Sequence, residues 1–288
     1  MAHCEDYLLF PENIGANLSI DEVSLSKGEL YTFVTNKAGK GKRRTIVACI
    51  SGTKSADITK VLQKIPVKQR SQVKEVTLDM AQNMASAVRS SFSQAQLVTD
   101  RFHVVKLALE ALQTIRTGFR WEESDKENEA IVQAKKEGKK YFAKEFSNGD
   151  TSRQLLARSR YILAKKEKDW TQTQQERAKL LFENYPKLAT GYKHVIKLRA
   201  IYENTSKIDA LVKLKNWIDE TRTLEIKEFA SVANTIENNF ETILNFFNNR
   251  STNANAESFN SKIKLFRANQ RGVKDTKFFL FRLTKLFA

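Results

Sequence analysis

The stretch LSIDEVSLSKGELYTFVTNKAGKGKRRTIVACIS (18–51) decides the fold. LSIDEVSL (18–25) alternates apolar and polar residues, the period of a strand with one buried face. SKG (26–28) is a turn signal, and ELYTFVTN (29–36), aromatic and β-branched, is a second strand. A Gly- and Lys-rich loop, KAGKGKR (37–43), leads to a third strand, TIVACIS (45–51). Connections this short predict an antiparallel meander.

Working outward, Ser55 or Asp57 caps a helix over DITKVLQKI (57–65), and Pro66 stops it. VKEVTLD (73–79) is a fourth strand. AQNMASAVRSSF (81–92) carries Met84, Val88 and Phe92 at helical spacing. AQLVTD (95–100) is a short fifth strand, and a long helical pattern begins at Phe102. Helical crossovers join parallel strands, whereas tight turns join antiparallel ones. The expectation is an α/β fold with a mixed five-stranded sheet and helices on its faces, an arrangement that matches the ribonuclease H-like fold.

After residue 120 the strand signal fades. Four to six helices are expected up to about Asn249. The segment 134–179 holds 13 Lys/Arg against 6 Asp/Glu, a net +7. The tail 251–288 holds 8 Lys/Arg against Glu257 and Asp275, a net +6. Three regions are therefore expected: a core at 1–120, a helical insertion at 121–248, and C-terminal helices at 249–288 that complete the core.

Across its 288 residues the chain carries 49 Lys/Arg and 33 Asp/Glu, a net +16. A surplus this large points to an anionic partner, chiefly nucleic acid; the plainer reading is a solvated surface. With 41% hydrophobic residues the chain has material for a core. No apolar run approaches the roughly 18 residues of a membrane span, and the N-terminus lacks a secretory pattern. Cys4 and Cys49 cannot form a disulfide framework, so a cytoplasmic setting without membrane attachment is expected. P-loop, GxGxxG and Ser-His-Asp patterns are missing.

The chemistry lies in carboxylates. Neighbours on a strand face opposite ways, so Asp21 and Glu22 cannot share a site. Asp79 ends the fourth strand, which should lie beside the first and so bring Asp79 to Asp21. Two carboxylates that close repel unless a cation lies between them. Hard oxygen ligands with open positions suit Mg²⁺ or Mn²⁺. Asp79 and Asp100 read equally well as caps of the helices that follow them. His103 alone reads as a packed histidine, and Glu257 alone as a helical carboxylate.

Together these residues carry a resemblance. IDE (20–22), LDMAQNM (78–84), VTDRFHVVKLALEAL (98–112) and STNANAESFNSKIKLFRANQRG (251–272) look like the blocks of DDE-type bacterial insertion-sequence transposases. The subfamily is the one marked by Asp-Arg-Phe-His and Asn-x-x-x-Glu-x-x-Asn blocks. The resemblance implies a metal-binding catalytic triad of Asp21, Asp79 and Glu257 around two Mg²⁺ or Mn²⁺ ions. It makes Asp100, His103, Asn253 and Asn260 near-site residues, with Asp100 expected to orient its helix and not to ligate metal. Arg101, Lys262, Lys264, Arg267 and Arg271 are expected on DNA. The activity implied is cleavage and strand transfer of an insertion sequence by a homo-oligomer on DNA. The alternatives are a nuclease of the same fold without strand transfer and an inactive DNA-binding remnant. Relatives carry a zinc-binding and helix-turn-helix region before the catalytic domain. Asp21 stands 20 residues from Met1 and no CxxC is present. End recognition is thus expected from a separate DNA-binding polypeptide, from the basic helices, or from a lost portion of the gene.

Overall fold

In the computed structural model the described residues are 6–25, 29–270 and 275–288. The expected turn at 26–28 and Arg271 lie outside them. The chain divides into two units, Met1–His103 with Asn239–Ala288, and Val104–Asn238.

The first unit is built on a mixed sheet. Its strands are β1 (Tyr7–Leu9), β2 (Asn17–Ser24), β3 (Leu30–Asn36), β4 (Ile46–Ser51), β5 (Glu75–Leu78) and β6 (Gln96–Thr99). The order is β1-β4-β3-β2-β5-β6. β2, β3 and β4 form the expected antiparallel meander, and β5 joins β2 in parallel, with β6 parallel beyond it. The sheet has six strands, which corrects the expected five. β1 adds to the outer edge of β4, with Tyr7 opposite Ile50 and Leu9 opposite Ala48. Three residues followed by Phe10-Pro11 are too few to display a two-residue period, so alternation does not reveal this strand.

Helices cover both faces. α1 (Ser55–Leu62), the single turn α2 (Val67–Arg70) and α3 (Gln82–Ser91) lie in the crossovers. Leu18, Ile20, Val76 and Leu78 face a core shared with Ile58, Leu62, Met84 and Val88. The opposite face buries Val23 and Phe33. It is covered by the C-terminal elements, which follow α4 (Arg101–Lys136), α5 (Ser152–Arg158), α6 (Gln172–Asn184), α7 (Pro186–Ile201), α8 (Lys207–Thr223) and α9 (Lys227–Asn238) in the chain. These elements are α10 (Phe240–Leu244), α11 (Phe246–Asn249), α12 (Ala254–Asn269) and α13 (Thr276–Phe287). Phe259 and Ile263 of α12 and Phe279 and Leu283 of α13 pack under Val23 and Phe33.

The second unit is helical. α4 is one unbroken helix, and its first three residues belong to the first unit. The division therefore falls at His103, ahead of the expected residue 120. α5 and α6 open on capping boxes, Thr151 with Gln154 and Thr171 with Gln174, which satisfy end N–H groups that would otherwise lack partners. Leu181, Tyr192, Leu198, Leu214, Trp217 and Phe229 are buried. A side chain at Gly191 would meet Leu112 at 3.0 Å and Phe229 at 3.1 Å, so glycine permits the close approach there. His194 is stacked on Trp217 at 4.3 Å and bonded to Thr221 at 2.6 Å, and burial lowers its pKa to about 4. It is a neutral core residue. Asp150, fully buried, accepts from Arg177 at 2.7 Å and from Arg158.

Candidate active site

The sheet register aligns three aspartates. Ser19 pairs with Thr77 across β2 and β5, and Leu78 with Thr99 across β5 and β6. Continued by one or two residues, the register sets Asp21, within β2, beside Asp79, just past β5, and Asp79 beside Asp100, just past β6. All three then point to the face covered by α12, because residues two apart on a strand share a face. The Asp100 N–H still bonds the Leu78 carbonyl at 3.0 Å, which extends the ladder to this point.

Asp21 is partly buried. One of its oxygens accepts from the Glu22 N–H at 2.8 Å and the other from Asn260 Nδ2 at 2.6 Å. Burial raises its carboxyl to about 6. The charge of Asp79 pushes it further up, while the Glu22 N–H, His103 and Asn260 pull it down. Asp79 accepts from the Ala81 N–H at 2.8 Å, a turn-type contact ahead of α3. Asp100, 2% exposed, accepts from the Phe102 N–H at 3.3 Å at the start of α4. Asp100 thus caps α4, whereas the N-cap position of α3 is Ala81 and has no side-chain cap, so Asp79 only braces the turn ahead of it.

α12 supplies the other wall. Asn253, Glu257 and Asn260 are spaced four and three apart, which places them along one stripe of a helix. Asn260 reaches Asp21. Glu257 Oε1 lies 3.9 Å from His103 Nε2, and the ligand atoms of Asp100, His103 and Glu257 all lie within 4.8 Å of one another. Among the described residues this is the group with metal-ligand spacing. Asp100 therefore stands closer to Glu257 than an outlying position on the fifth expected strand implies, and Asp21 and Asp79 are not in this group. Asn253 is fully buried and its side-chain amide has no hydrogen-bond partner.

The expected DNA contacts differ in what they touch. Arg101 is exposed at the start of α4, with its guanidinium 6.0 Å from the Phe246 ring. Lys264 is exposed. Lys262 Nζ donates to the Gly41 carbonyl at 3.0 Å, and Arg267 lies 4.9 Å over the Phe279 ring. Gly41 holds a φ of 68° in the β3–β4 loop, where a side chain would meet that Lys262 ammonium at 3.0 Å.

Sequence reasoning passed over a polar knot on the same sheet face. Lys37 Nζ donates to Glu75 Oε1 at 2.9 Å, to Ser251 Oγ at 2.7 Å and to Thr77 Oγ1. Ser251 donates to Glu75, and Asn249 Nδ2 donates to the other Glu75 oxygen at 3.2 Å. Burial alone would raise the Glu75 carboxyl, but Ser251 and Lys37 outweigh it and hold it below the usual range. The available signal was a glutamate at the head of β5, a four-residue strand buried throughout.

A comparison with known families covers most of the chain. The model of the DDE_Tnp_ISL3 transposase family matches residues 18–283, from β2 into α13. No match was found among curated proteins or among solved structures. The matched region takes in the three aspartates, the Asp-Arg-Phe-His block and Glu257. The chain belongs to this family of transposases.

Proposed function

We propose that the chain is the catalytic part of a DNA transposase that cleaves DNA strands and joins the cut 3′ ends to target DNA, on a ribonuclease H-like fold. The observation that carries this reading is the placing of Asp21, within β2, beside Asp79, just past the end of the parallel strand β5, with Asn260 of the α12 stripe that also bears Glu257 bonded to Asp21. The antiparallel meander with β5 added beside β2 supports the fold assignment.

The donors fit divalent magnesium or manganese. They are hard oxygens, and the Asp21–Asp79 repulsion is what a bound cation relieves. Asp21, Asp79 and Glu257 would hold two ions. Such ions neutralise charge on the transferring phosphoryl group and acidify bound water. The protein's own part is positioning. Asn260 fixes the Asp21 carboxylate through its 2.6 Å bond, and the Ala81 N–H turns one Asp79 oxygen away from free rotation. His103 Nε2 lies 3.9 Å from the Glu257 carboxylate, beside it without a hydrogen bond. Arg101 and Lys264 would meet DNA phosphates near the cleft.

The test is a strand-joining assay on a plasmid carrying the gene with its flanking DNA, in Mg²⁺ or Mn²⁺. Joined products are expected from the native chain. Asp21→Asn, Asp79→Asn and Glu257→Gln should each lower joining by about 10³-fold, the scale of losing one electrostatic stabiliser. Cleavage without joining would favour the nuclease reading. Activity retained by all three variants would overturn the assignment.

A further inference from the structure

We infer that Lys37, Glu75 and Ser251 are positioning residues that set where α12 begins and so hold Glu257 at the cleft. The inference rests on the catalytic reading of Glu257 and goes beyond it, since none of the three belongs to the carboxylate site.

The knot joins three segments that are distant in sequence. Lys37 follows the last residue of β3. Glu75 opens β5, four residues before Asp79 on the same face, with Thr77 between them. Ser251 lies in the short link between α11 and α12, six residues before Glu257. Within that link Arg250 takes a left-handed φ of 52°, so the chain turns sharply just before Ser251. One ammonium serves acceptors from β5 and from the link, and the carboxylate beneath it also receives Asn249. Glu75 is 3% exposed and the Lys37 side chain 13%.

Burial makes this arrangement demanding. A buried ion pair gives little net stability compared with apolar residues of the same size, but a pair with one member missing is costly. The energy therefore discriminates among geometries: only one placement of the link lets Ser251 complete both the ammonium and the carboxylate. A surface connection of the same length would have no such requirement. Asn253 follows two residues later with a fully buried, unpartnered amide, so the helix start lacks a side-chain cap of its own. The restraint on α12 at this end comes from the Ser251 side.

The experiment is a double-mutant cycle read by Mn²⁺ titration, using electron paramagnetic resonance of the free ion and the full chain. Ser251→Ala cuts the link and leaves the Lys37–Glu75 pair. In the native chain Glu257→Gln should weaken Mn²⁺ binding by about tenfold, as for loss of a charged ligand. Ser251→Ala should also weaken it by about tenfold, the lower end of outer-shell effects. In the Ser251→Ala background, adding Glu257→Gln should then cost less than about threefold, because a misplaced carboxylate has little left to lose. A second variant, Lys37→Gln, should show the same non-additivity, with cooperative melting followed in parallel. A purely structural knot would lower the melting temperature but leave the Glu257→Gln cost at its full tenfold in both backgrounds, and that result would overturn the inference. If Glu257→Gln changes nothing in the native chain, the carboxylate assignment itself is wrong, and the inference falls with it.

Discussion

Asp21 is the residue on which the site's electrostatics turn. Burial and the neighbouring Asp79 lift its carboxyl from an ordinary 3.8 to about 6. A metal ion must displace that proton, so Mn²⁺ affinity is expected to fall about tenfold per pH unit below 6. Titration at several pH values checks this. The linkage to stability has a definite sign. A carboxyl raised on folding contributes stability that is full below about 4 and is lost as pH rises through about 6. At pH 8 the metal-free protein therefore carries an unfavourable Asp21 charge. Asp21→Asn should raise stability there by about 2 kcal/mol, and the gain should vanish near pH 4. Denaturant melts at the two pH values in chelator measure it. A gain of equal size at both would show that the asparagine acts through packing and not through charge.

At the scale of elements, α12 does two jobs with two stripes. Phe259 and Ile263 anchor it under β2 and β3, while Glu257 and Asn260 face the cleft. Phe259 is 1% exposed and meets Phe287 edge-on at 5.2 Å. Phe259→Ala should cost about 3–5 kcal/mol in chemical denaturation. The basic residues expected on DNA separate by what they already touch. Arg267→Gln should mainly lower the melting temperature, because its guanidinium packs on Phe279. Arg101→Gln with Lys264→Gln should instead flatten the log–log salt dependence of DNA binding by about 1–2 units, at roughly 0.9 per phosphate contact. An unchanged slope would move the DNA path away from this face. In the helical unit, Asp150 neutralises Arg158 and Arg177 from a fully buried position. Burial opposes its charge, yet hydrogen bonds from the two arginines hold its carboxyl below the usual range. Asp150→Asn should destabilise by about 3 kcal/mol at neutral pH, with the penalty shrinking as pH falls below about 4.

For the whole molecule, the sheet was legible where periodicity was long enough. Eight residues of alternation mark β2, and short loops dictate the meander that follows it. β1 was not legible, because its three residues pair only when β4 is already in place. The Asp21–Asp79 juxtaposition followed from strand order alone. The nearness of Asp100 to Glu257 did not, since no local rule says over which strand a late helix will descend. The Lys37 knot was hidden for the same reason: its members are 38 and 214 residues apart. His194 is a packed core residue, and a lone histidine in a helix gives no sign of the Trp217 it stacks on. No helix among the described residues is long and apolar enough to cross a membrane. The net +16 suits a transposase's anionic substrate, DNA.

The central claim is that Asp21, Asp79 and Glu257 hold the divalent ions that act on DNA. Anomalous diffraction from crystals soaked in Mn²⁺ tests it most directly. The account predicts a manganese peak in contact with both Asp21 and Asp79, with Glu257 ligating there or at a second peak about 3.5–4 Å away. A single peak held by Asp100, His103 and Glu257, with nothing bound at Asp21, would contradict it.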